Sequence, residues 1–547
     1  MQEIIAGFVF EKINDFNAHL TQEFFLKILK DSTQRQGLES QIVSLENGFI
    51  CEVKGDKDSI LNLSQILQNK IPLSLNIAFR ELILLESFSD KNIIDLKLES
   101  KSGFLTPLEL QEILNKDSSE FCNLWGEFLD YRQDKITLLD NGKKIKLDSK
   151  ESLKEALENI ATQLKAKEQV FLKTSLGKFE AILFNESKPL KNEILQKTHF
   201  FMPFDLECAK VLFKVESYEL EALATLEKPI LSLSAKSIFK EHFKAHCKVI
   251  LPFMPYLTLL SKFLESQGLY LIPLESKINS GICAFVESSA KPLFISVSES
   301  GLIIPHNFTQ DFTPLKAFKN TIAKNNLTRT SALYLGLQDS KVLVYFDNSF
   351  KIPLEFCFNA NLAEFLEILS IKDNTTKSLL KNFTNEFSDC IDKIKTIKQD
   401  SKDSNNLLDL LGLAGILLDF KGENLEHLAK CILEEAANFM GKKGPRIDFK
   451  LERSESGVIY LNTEQTLRSI MSFRLAGVET SLLCFGILDS MAEFFANFIR
   501  DMEENYQTSS VIIAGSAFLN KQFLNQFLHY LPKNIEVYVP SAIELES

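Results

Sequence analysis

Two kinds of hydrophobic periodicity follow one another in the first 90 residues. Short apolar or alternating runs predict four strands, over 4–10, 40–45, 48–55 and 71–79. Apolar residues at helical spacing predict helices over 20–33 and 59–70, and Asp58 is expected to cap the second. Glu46-Asn47-Gly48 predicts the turn between the two middle strands. The order β-α-β-β-α-β predicts a small ferredoxin-like sandwich.

The middle of the chain alternates between helical and strand patterns. Residues 91–150 are more polar, and one short helix is predicted at 107–115. Further on, the pattern predicts a helix over 152–166, a strand pair around Gly177 and a helix with Asp205 near its cap.

The last third contains consecutive predicted strands in 331–356, with a turn at Asp347-Asn348. A polar helical region over 373–406 and apolar helices in 407–440 and 477–505 come next. The chain then reads VIIAGSAFLNKQFLNQFL over 511–528, an apolar strand pattern, a glycine at 515 and an amphipathic helix. Such a strand–glycine–helix unit presents backbone N–H groups and a helix dipole, so it is a candidate phosphate-binding loop.

Composition narrows the classes of partner. The 547 residues are 45% hydrophobic and 24% charged, with a formal net charge of −12. This predicts a globular protein of several domains, with no nucleic-acid partner and no affinity for anionic membranes. No signal peptide is expected from the N-terminal sequence, and no membrane insertion is expected, since the apolar run over 407–420 contains Asp409 and Asp419. Nine cysteines without a C-x-x-C pair predict reduced thiols and a cytoplasmic location.

Four stretches carry a resemblance to a known family. Residues 37–72 resemble the second half of an acylphosphatase, and 151–184 resemble the start of a YrdC-like domain. Two runs, 205–233 and 249–260, are similar to later parts of that domain, and 511–528 resembles the strand–turn–helix of a Kae1-like domain. Together they resemble HypF, the carbamoyltransferase family that matures nickel-iron hydrogenases.

The resemblance implies an α+β, multidomain fold with four parts. These are an acylphosphatase-like (ferredoxin-like) sandwich over 1–95, a degenerate zinc-finger segment without metal ligands over 96–150, a YrdC-like α/β domain over 151–315, and a truncated Kae1-like domain, of the actin/Hsp70-type ATPase fold, over 316–547.

The resemblance also implies that several functional residues have been replaced. Leu26 stands where an acylphosphatase has its arginine, and Ser44 where it has its asparagine. Cys122 is the only cysteine in 91–150, and one thiolate cannot hold a structural zinc. In the YrdC-like part, the stretch expected to be basic reads LQKTHFFMPF over 195–204, and Lys197 and His199 are its only possible cations. Glu275 would repel a polyphosphate.

Four residues remain as candidates for binding a nucleotide or another anion. Lys173 and Gly177 match the YrdC-like strand turn, and Gly515 and Asn520 match the Kae1-like loop, although Ala514 and Ser516 replace members of its S-G-G turn. The histidine motif that holds the family's metal has no counterpart in 373–406, which contains no histidine. No bound metal and no catalytic residue are therefore predicted, and ATP is the one cofactor left open.

One further pair could ligate a metal. His242 and His246 are four residues apart, with Glu241 and Cys247 beside them, and on a helix both imidazoles would share a face. No third ligand is implied, so surface or core histidines are the favoured interpretation.

Three functions remain open. The leading one is a non-catalytic factor for the maturation or assembly of nickel-iron hydrogenase, with hydrogenase subunits or maturation proteins as partners. The second is an ATP-dependent carbamoyl or acyl transferase with rearranged active sites. The third is a multidomain scaffold unrelated to hydrogenases.

Overall fold

The chain divides into two compact units, residues 1–294 and 295–547. The structure is a computed structural model, and it describes residues 3–14, 18–95, 110, 112–118, 121, 135–140, 143–147, 149–167, 169–244, 246–274, 282–287, 292–305, 308–309, 313–336, 339–394, 403–422, 424–439, 441–455, 457–540 and 545–546. The two units are coarser than the four-part division, which stays a prediction.

The first domain is the predicted sandwich. Its elements are β1 (Ile4–Lys12), α1 (Ala18–Arg35), β2 (Glu39–Leu45), β3 (Gly48–Gly55), α2 (Lys57–Lys70) and β4 (Ile77–Leu85). The sheet order is β2-β3-β1-β4, and every neighbouring pair is antiparallel. Phe10, Phe25 and Phe49 meet in the core between this sheet and the helices, where each is almost fully buried. The predicted element order is confirmed.

Two details of the sequence-based interpretation of this domain are wrong. Asp56, not Asp58, caps α2, because its carboxylate accepts the Ser59 N–H at 2.9 Å while Asp58 lies in the first helical turn. The last strand covers Ile77–Leu85 instead of 71–79. Leu75 and Asn76 lie in the loop before it, where Asn76 is fully buried.

A ten-stranded sheet forms the rest of the first unit. Its strands are β5 (Lys135–Asp140), β6 (Lys143–Lys146), β7 (Val170–Thr174), β8 (Gly177–Leu183), β9 (Phe200–Pro203), β10 (Phe213–Lys214), β11 (Leu231–Ala235), β12 (Cys247–Val249), β13 (Gly268–Pro273) and β14 (Ile282–Glu287). Their order is β10-β11-β12-β9-β13-β8-β7-β14-β5-β6. The helices are α3 (Lys150–Ala166), α4 (Asn192–Lys197), α5 (Leu206–Leu212), α6 (Ser217–Ala224) and α7 (Pro255–Ser261), and a 3-10 turn covers Ser237–His242.

Each face of this sheet has its own core. Apolar residues of α3 and α7 pack with Leu172, Phe179 and Leu271. An aromatic cluster that contains Phe201 and Tyr270 forms a separate set of ring contacts. The predicted helix at 152–166, the strand pair around Gly177 and the Asp205 cap are all confirmed.

The predicted zinc-finger segment is described only in part. Cys122 and most of 96–134 lie outside the described residues, as does 275–281. Within the predicted helix at 107–115, Ile113–Asn115 form a 3-10 turn. Residues 135–146 supply β5 and β6, and β5 pairs with β14 of the following domain.

The second unit contains a five-stranded sheet with helices around it. The strands of the whole unit are β15 (Ile295–Val297), β16 (Ile303–Pro305), β17 (Phe308–Thr309), β18 (Thr330–Leu335), β19 (Ser340–Phe346), β20 (Ser349–Leu354), β21 (Phe358–Asn359), β22 (Asp403–Ser404), β23 (Leu451–Arg453), β24 (Ile459–Leu461), β25 (Ser510–Ala514), β26 (Glu536–Tyr538) and β27 (Leu545–Glu546). The main sheet runs β20-β19-β18-β25-β26, with β18, β25 and β26 parallel.

The helices of this unit are α8 (Pro314–Lys324), α9 (Leu362–Ile371), α10 (Asn374–Glu386), α11 (Ser388–Ile394), α12 (Leu407–Leu417), α13 (Leu425–Ala436), α14 (Thr463–Leu475), α15 (Thr480–Tyr506) and α16 (Lys521–Tyr530). The predicted strands in 331–356 are confirmed, and Asp347 and Asn348 both have positive φ, as a type I′ turn requires. Among the described residues, α15 is the helix long and apolar enough to cross a membrane, but 72% of its apolar window is buried in the protein.

Candidate functional site

The strand–turn–helix that the sequence predicts at 511–528 is present. It consists of β25, a 3-10 turn over Ser516–Leu519 and α16. Gly515 joins strand and turn with φ of +106°, and a Cβ placed on it would lie 2.4 Å from the Leu335 carbonyl oxygen. The close approach of β18 therefore requires a glycine here, with or without a bound phosphate.

Asn520 is the N-cap of α16. Its side-chain oxygen accepts the Phe523 N–H at 2.9 Å, and its Nδ2 donates to the Leu433 carbonyl at 3.1 Å. An incoming phosphate would have to compete with Asn520 for the Phe523 N–H. Asn520 and Gly515 therefore fit a packed joint between helix and sheet better than a nucleotide cradle.

Lys173 and Gly177 lie at one hairpin of the ten-stranded sheet. Gly177 has φ of +131°, and the Thr174 hydroxyl donates to its carbonyl and accepts the Leu176 N–H, which closes the turn. Lys173 pairs across the hairpin with Lys178. The four candidate residues thus fall into two groups, one in each compact unit.

The predicted arrangement of His242 and His246 on one helix is wrong. His242 ends the 3-10 turn, and β12 begins at Cys247, directly after His246. His242 is 6% exposed and contacts Phe184 and Phe239, and its Nδ1 has no hydrogen-bond partner in the described part of the chain. No group of three or more His, Cys, Asp or Glu that could hold a metal occurs among the described residues.

The acylphosphatase positions supply no anion-binding pair in the first domain. Leu26 is 5% exposed and belongs to the core, and Ser44 lies near the end of an edge strand. Near the start of β4, a carboxylate from elsewhere is bound instead. Glu227 accepts hydrogen bonds from Thr21 Oγ1, Ser74 Oγ, the Leu75 N–H and Asn76 Nδ2, at 2.9, 2.7, 3.0 and 2.9 Å. This contact joins the first domain to the segment after α6.

A pocket of about 130 Å³ lies where the strands of the ten-stranded sheet end on one side, next to the first residues of β9 and β12. Its polar lining includes His199, Lys244, His246 and Lys248, and we call it the basic pocket. Sequence reasoning named the two histidines for other reasons and missed the two lysines. Lys244, His246 and Lys248 flank or belong to the short strand β12, which the sequence pattern did not reveal.

Lys173, near the end of β7, lies on the same side of the sheet, where these strands begin or end. The His199 N–H bonds to the Leu271 carbonyl on β13, and the Leu274 N–H bonds to the Lys178 carbonyl on β8. Strand spacing therefore puts Lys173 on β7 roughly 14 Å from the line of β9. Lys173 and the basic pocket therefore lie at the same ends of the strands but are not in contact.

Comparison with known proteins identifies the family. Protein HydE of Wolinella succinogenes is 30% identical over 548 residues, which cover 96% of this chain and 97% of that protein. The chain belongs to the HypF-like proteins. The resemblance to the HypF family seen in the sequence is confirmed, and this relative narrows it to HydE.

Two further comparisons support the fold of this HypF-like protein. Residues 412–545 match the family described as carbamoyltransferase, Kae1-like domain, second subdomain. Full-length HypF in the phosphate- and nucleotide-bound form superposes with a TM-score of 0.60 and 13% identity, and T. kodakarensis HypF with 0.64 and 12%. Each match covers 99% of this chain and 96% of the other. The predicted α+β, multidomain fold is confirmed.

Proposed function

We propose that this HypF-like protein is a non-catalytic factor for the maturation or assembly of nickel-iron hydrogenase and acts through protein–protein contacts in the cytoplasm. The observation that carries the proposal is the strand–turn–helix around Gly515 and Asn520. The close approach of Leu335 explains the glycine, and the cap on α16 explains the asparagine. The unit has kept the architecture of a phosphate loop while its polar side chain bonds to its own backbone.

The surface of the first domain also supports a role in protein binding. β4 is an edge strand in the described part of the sheet, and it exposes Phe79, Leu82 and Leu84 by 53%, 44% and 74%. Large apolar side chains on a strand edge are unusual for a monomer and typical of interaction sites. With a net charge of −12, the partners we expect are hydrogenase subunits or maturation proteins, and not nucleic acids or anionic membranes.

Affinity purification at native expression levels tests this function. The full chain carries a tag in hydrogenase-producing cells, and co-purifying proteins are identified by mass spectrometry. We expect hydrogenase subunits or maturation proteins, and we expect Phe79→Asp with Leu84→Asp to reduce their recovery. Leu61→Asp is the matched control, because Leu61 is a 49% exposed apolar residue on α2 of the same domain. Recovery of neither class of partner would contradict the proposal.

One observation favours a second candidate, an ATP-dependent carbamoyl or acyl transferase. Lys173, Lys178 and the basic pocket lie where the strands of the YrdC-like sheet end on one side. Such a concentration of cations suits a phosphorylated substrate. Calorimetric titration with ATP, magnesium and carbamoyl phosphate, followed by an assay for AMP, separates the two candidates. Micromolar binding with AMP release would favour the transferase, and no binding up to millimolar ATP would favour the assembly factor.

A further inference from the structure

The basic pocket is built from three separate parts of the YrdC-like domain. The segment after α4 contributes Thr198 and His199. The segment before β12 contributes Lys244 and His246, β12 itself contributes Lys248, and β13 contributes Tyr270. Two hydrogen bonds fix these walls. Lys244 Nζ donates to the Thr198 carbonyl at 2.9 Å, and the Tyr270 hydroxyl donates to the His242 carbonyl at 3.2 Å. The pocket is therefore a defined feature of the fold.

Positive charge is concentrated in this pocket without a matching negative charge. No carboxylate is among its described lining residues, and neither Lys244 nor Lys248 forms an ion pair with a described residue. Partial burial, followed by the charges of Lys248 and Lys244, lowers the pKa of His199. Burial, with the charge of Lys244, also lowers the pKa of Lys248. Lys244 and Lys248 thus repel one another, and both disfavour the charged form of His199.

The size of the pocket limits what could relieve that repulsion. Its volume of about 130 Å³ is below the roughly 300–1,000 Å³ of pockets that enclose drug-sized ligands, so a whole nucleotide does not fit inside. An ion of a few heavy atoms does. Lys244 has used one of its three N–H donors on Thr198, and two remain for a ligand.

We propose that the basic pocket binds one small oxyanion of the phosphate or carboxylate class, held by Lys244, Lys248 and His199. Lys244 and Lys248 lie outside every stretch to which the resemblance pointed, whereas His199 lies in the stretch where the family has its cations. The inference goes beyond the proposed function, since it holds whether the protein is an assembly factor or a transferase. The anion would bind through charge and hydrogen bonds at the ends of the strands, and no covalent step is involved.

Titration calorimetry of the full chain at low ionic strength tests the site, with inorganic phosphate and acetate as the two probes. We expect saturable one-site binding of phosphate. Lys244→Met and Lys248→Met should each weaken it by about 10- to 100-fold, the usual loss for one charged hydrogen-bond donor. Lys240→Met removes the same charge from an exposed position on the neighbouring 3-10 turn and should leave binding unchanged. Lys248→Arg keeps the charge and should retain most of the affinity.

Each outcome has a defined meaning. Binding of phosphate alone assigns a phosphate site, and binding of both probes assigns a general oxyanion site. A second readout is the His199 imidazole signal in NMR, whose pKa should rise when phosphate is bound because the anion favours the charged ring. No phosphate binding by the wild-type chain up to about 10 mM would overturn the proposal. An equal loss of binding in Lys240→Met, or full binding in both pocket variants, would overturn it as well.

Discussion

Glu227 offers the sharpest test of how the first domain is held to the following one. Its carboxylate accepts four hydrogen bonds, three on Oε1 and one, from the Leu75 N–H, on Oε2. Leu226 adds a backbone hydrogen bond to the Leu73 carbonyl at 2.8 Å and packs against the core of the first domain. Replacing Glu227 with alanine leaves four donors without their acceptor.

The size of the effect follows from the number and kind of these bonds. A hydrogen bond to a charged group contributes about 1.5–3 kcal/mol, but the four share one acceptor and are not additive. Glu227 is also only half-buried, so water can replace part of what is lost. We therefore expect Glu227→Ala to cost about 2–4 kcal/mol of local stability. Glu227→Gln should cost less, because an amide oxygen can keep the three bonds made by Oε1.

Hydrogen exchange at the Leu75 amide measures this cost directly. A multidomain protein need not unfold in one transition, so a local probe is better than a melting temperature. A loss of 2–4 kcal/mol corresponds to roughly 30- to 1,000-fold faster exchange in Glu227→Ala. Glu221→Ala, an exposed glutamate on α6, is the control. Unchanged exchange in Glu227→Ala, or equal acceleration in the control, would refute the reasoning.

Three further predictions concern single residues. Gly515→Ala should destabilise the second unit by about 2–4 kcal/mol in chemical denaturation, because the new Cβ meets the Leu335 backbone at positive φ, whereas Gly477→Ala, with open space around it, should cost about 1 kcal/mol. Burial, opposed by the Ser404 hydrogen bond and aided by Glu426, raises the pKa of Asp409. Stability from this group is therefore lost as pH rises through the raised pKa, and Asp409→Asn should stabilise the unit at neutral pH but little below about pH 4; equal effects at both would contradict this. Iodoacetamide at about pH 8 should modify exposed Cys357 and spare Cys51, whose pKa burial raises to about 12, and mass spectrometry of peptides would detect the reverse order.

Local patterns predicted the elements of this protein well. The sandwich over 1–90 and the strand–turn–helix at 511–528 both depend on hydrophobic periodicity and turn residues, which are read within a few positions. The same reasoning misplaced the cap of α2, since Asp56 and Asp58 are both suitable and only the Ser59 N–H bond separates them. It also gave His242 and His246 a shared helix, because spacing alone does not reveal that a strand begins at Cys247.

The contacts between distant segments were beyond the reach of such patterns. The basic pocket needs the sheet order that sets β12 beside β9 and β9 beside β13. The Glu227 contact joins residues 153 positions apart, as in its bond with Ser74. Neither lysine of the pocket stands out in the sequence, where each looks like an ordinary solvated side chain. Gly515 was recognised, but its reason, the Leu335 backbone, lies on another strand.

The pairing of β18 with β25 has a consequence for how the protein is made. The Thr330 hydroxyl donates to the Ser510 carbonyl, 180 residues later, and the two strands are parallel neighbours at the centre of their sheet. During synthesis, β18 can pair with β19 at once, yet its other edge waits until 510–514 have left the ribosome. Pairing over such a separation is slow, and an apolar strand edge that waits is prone to aggregate. The nascent chain should therefore depend on chaperones during this interval, before the sheet is complete.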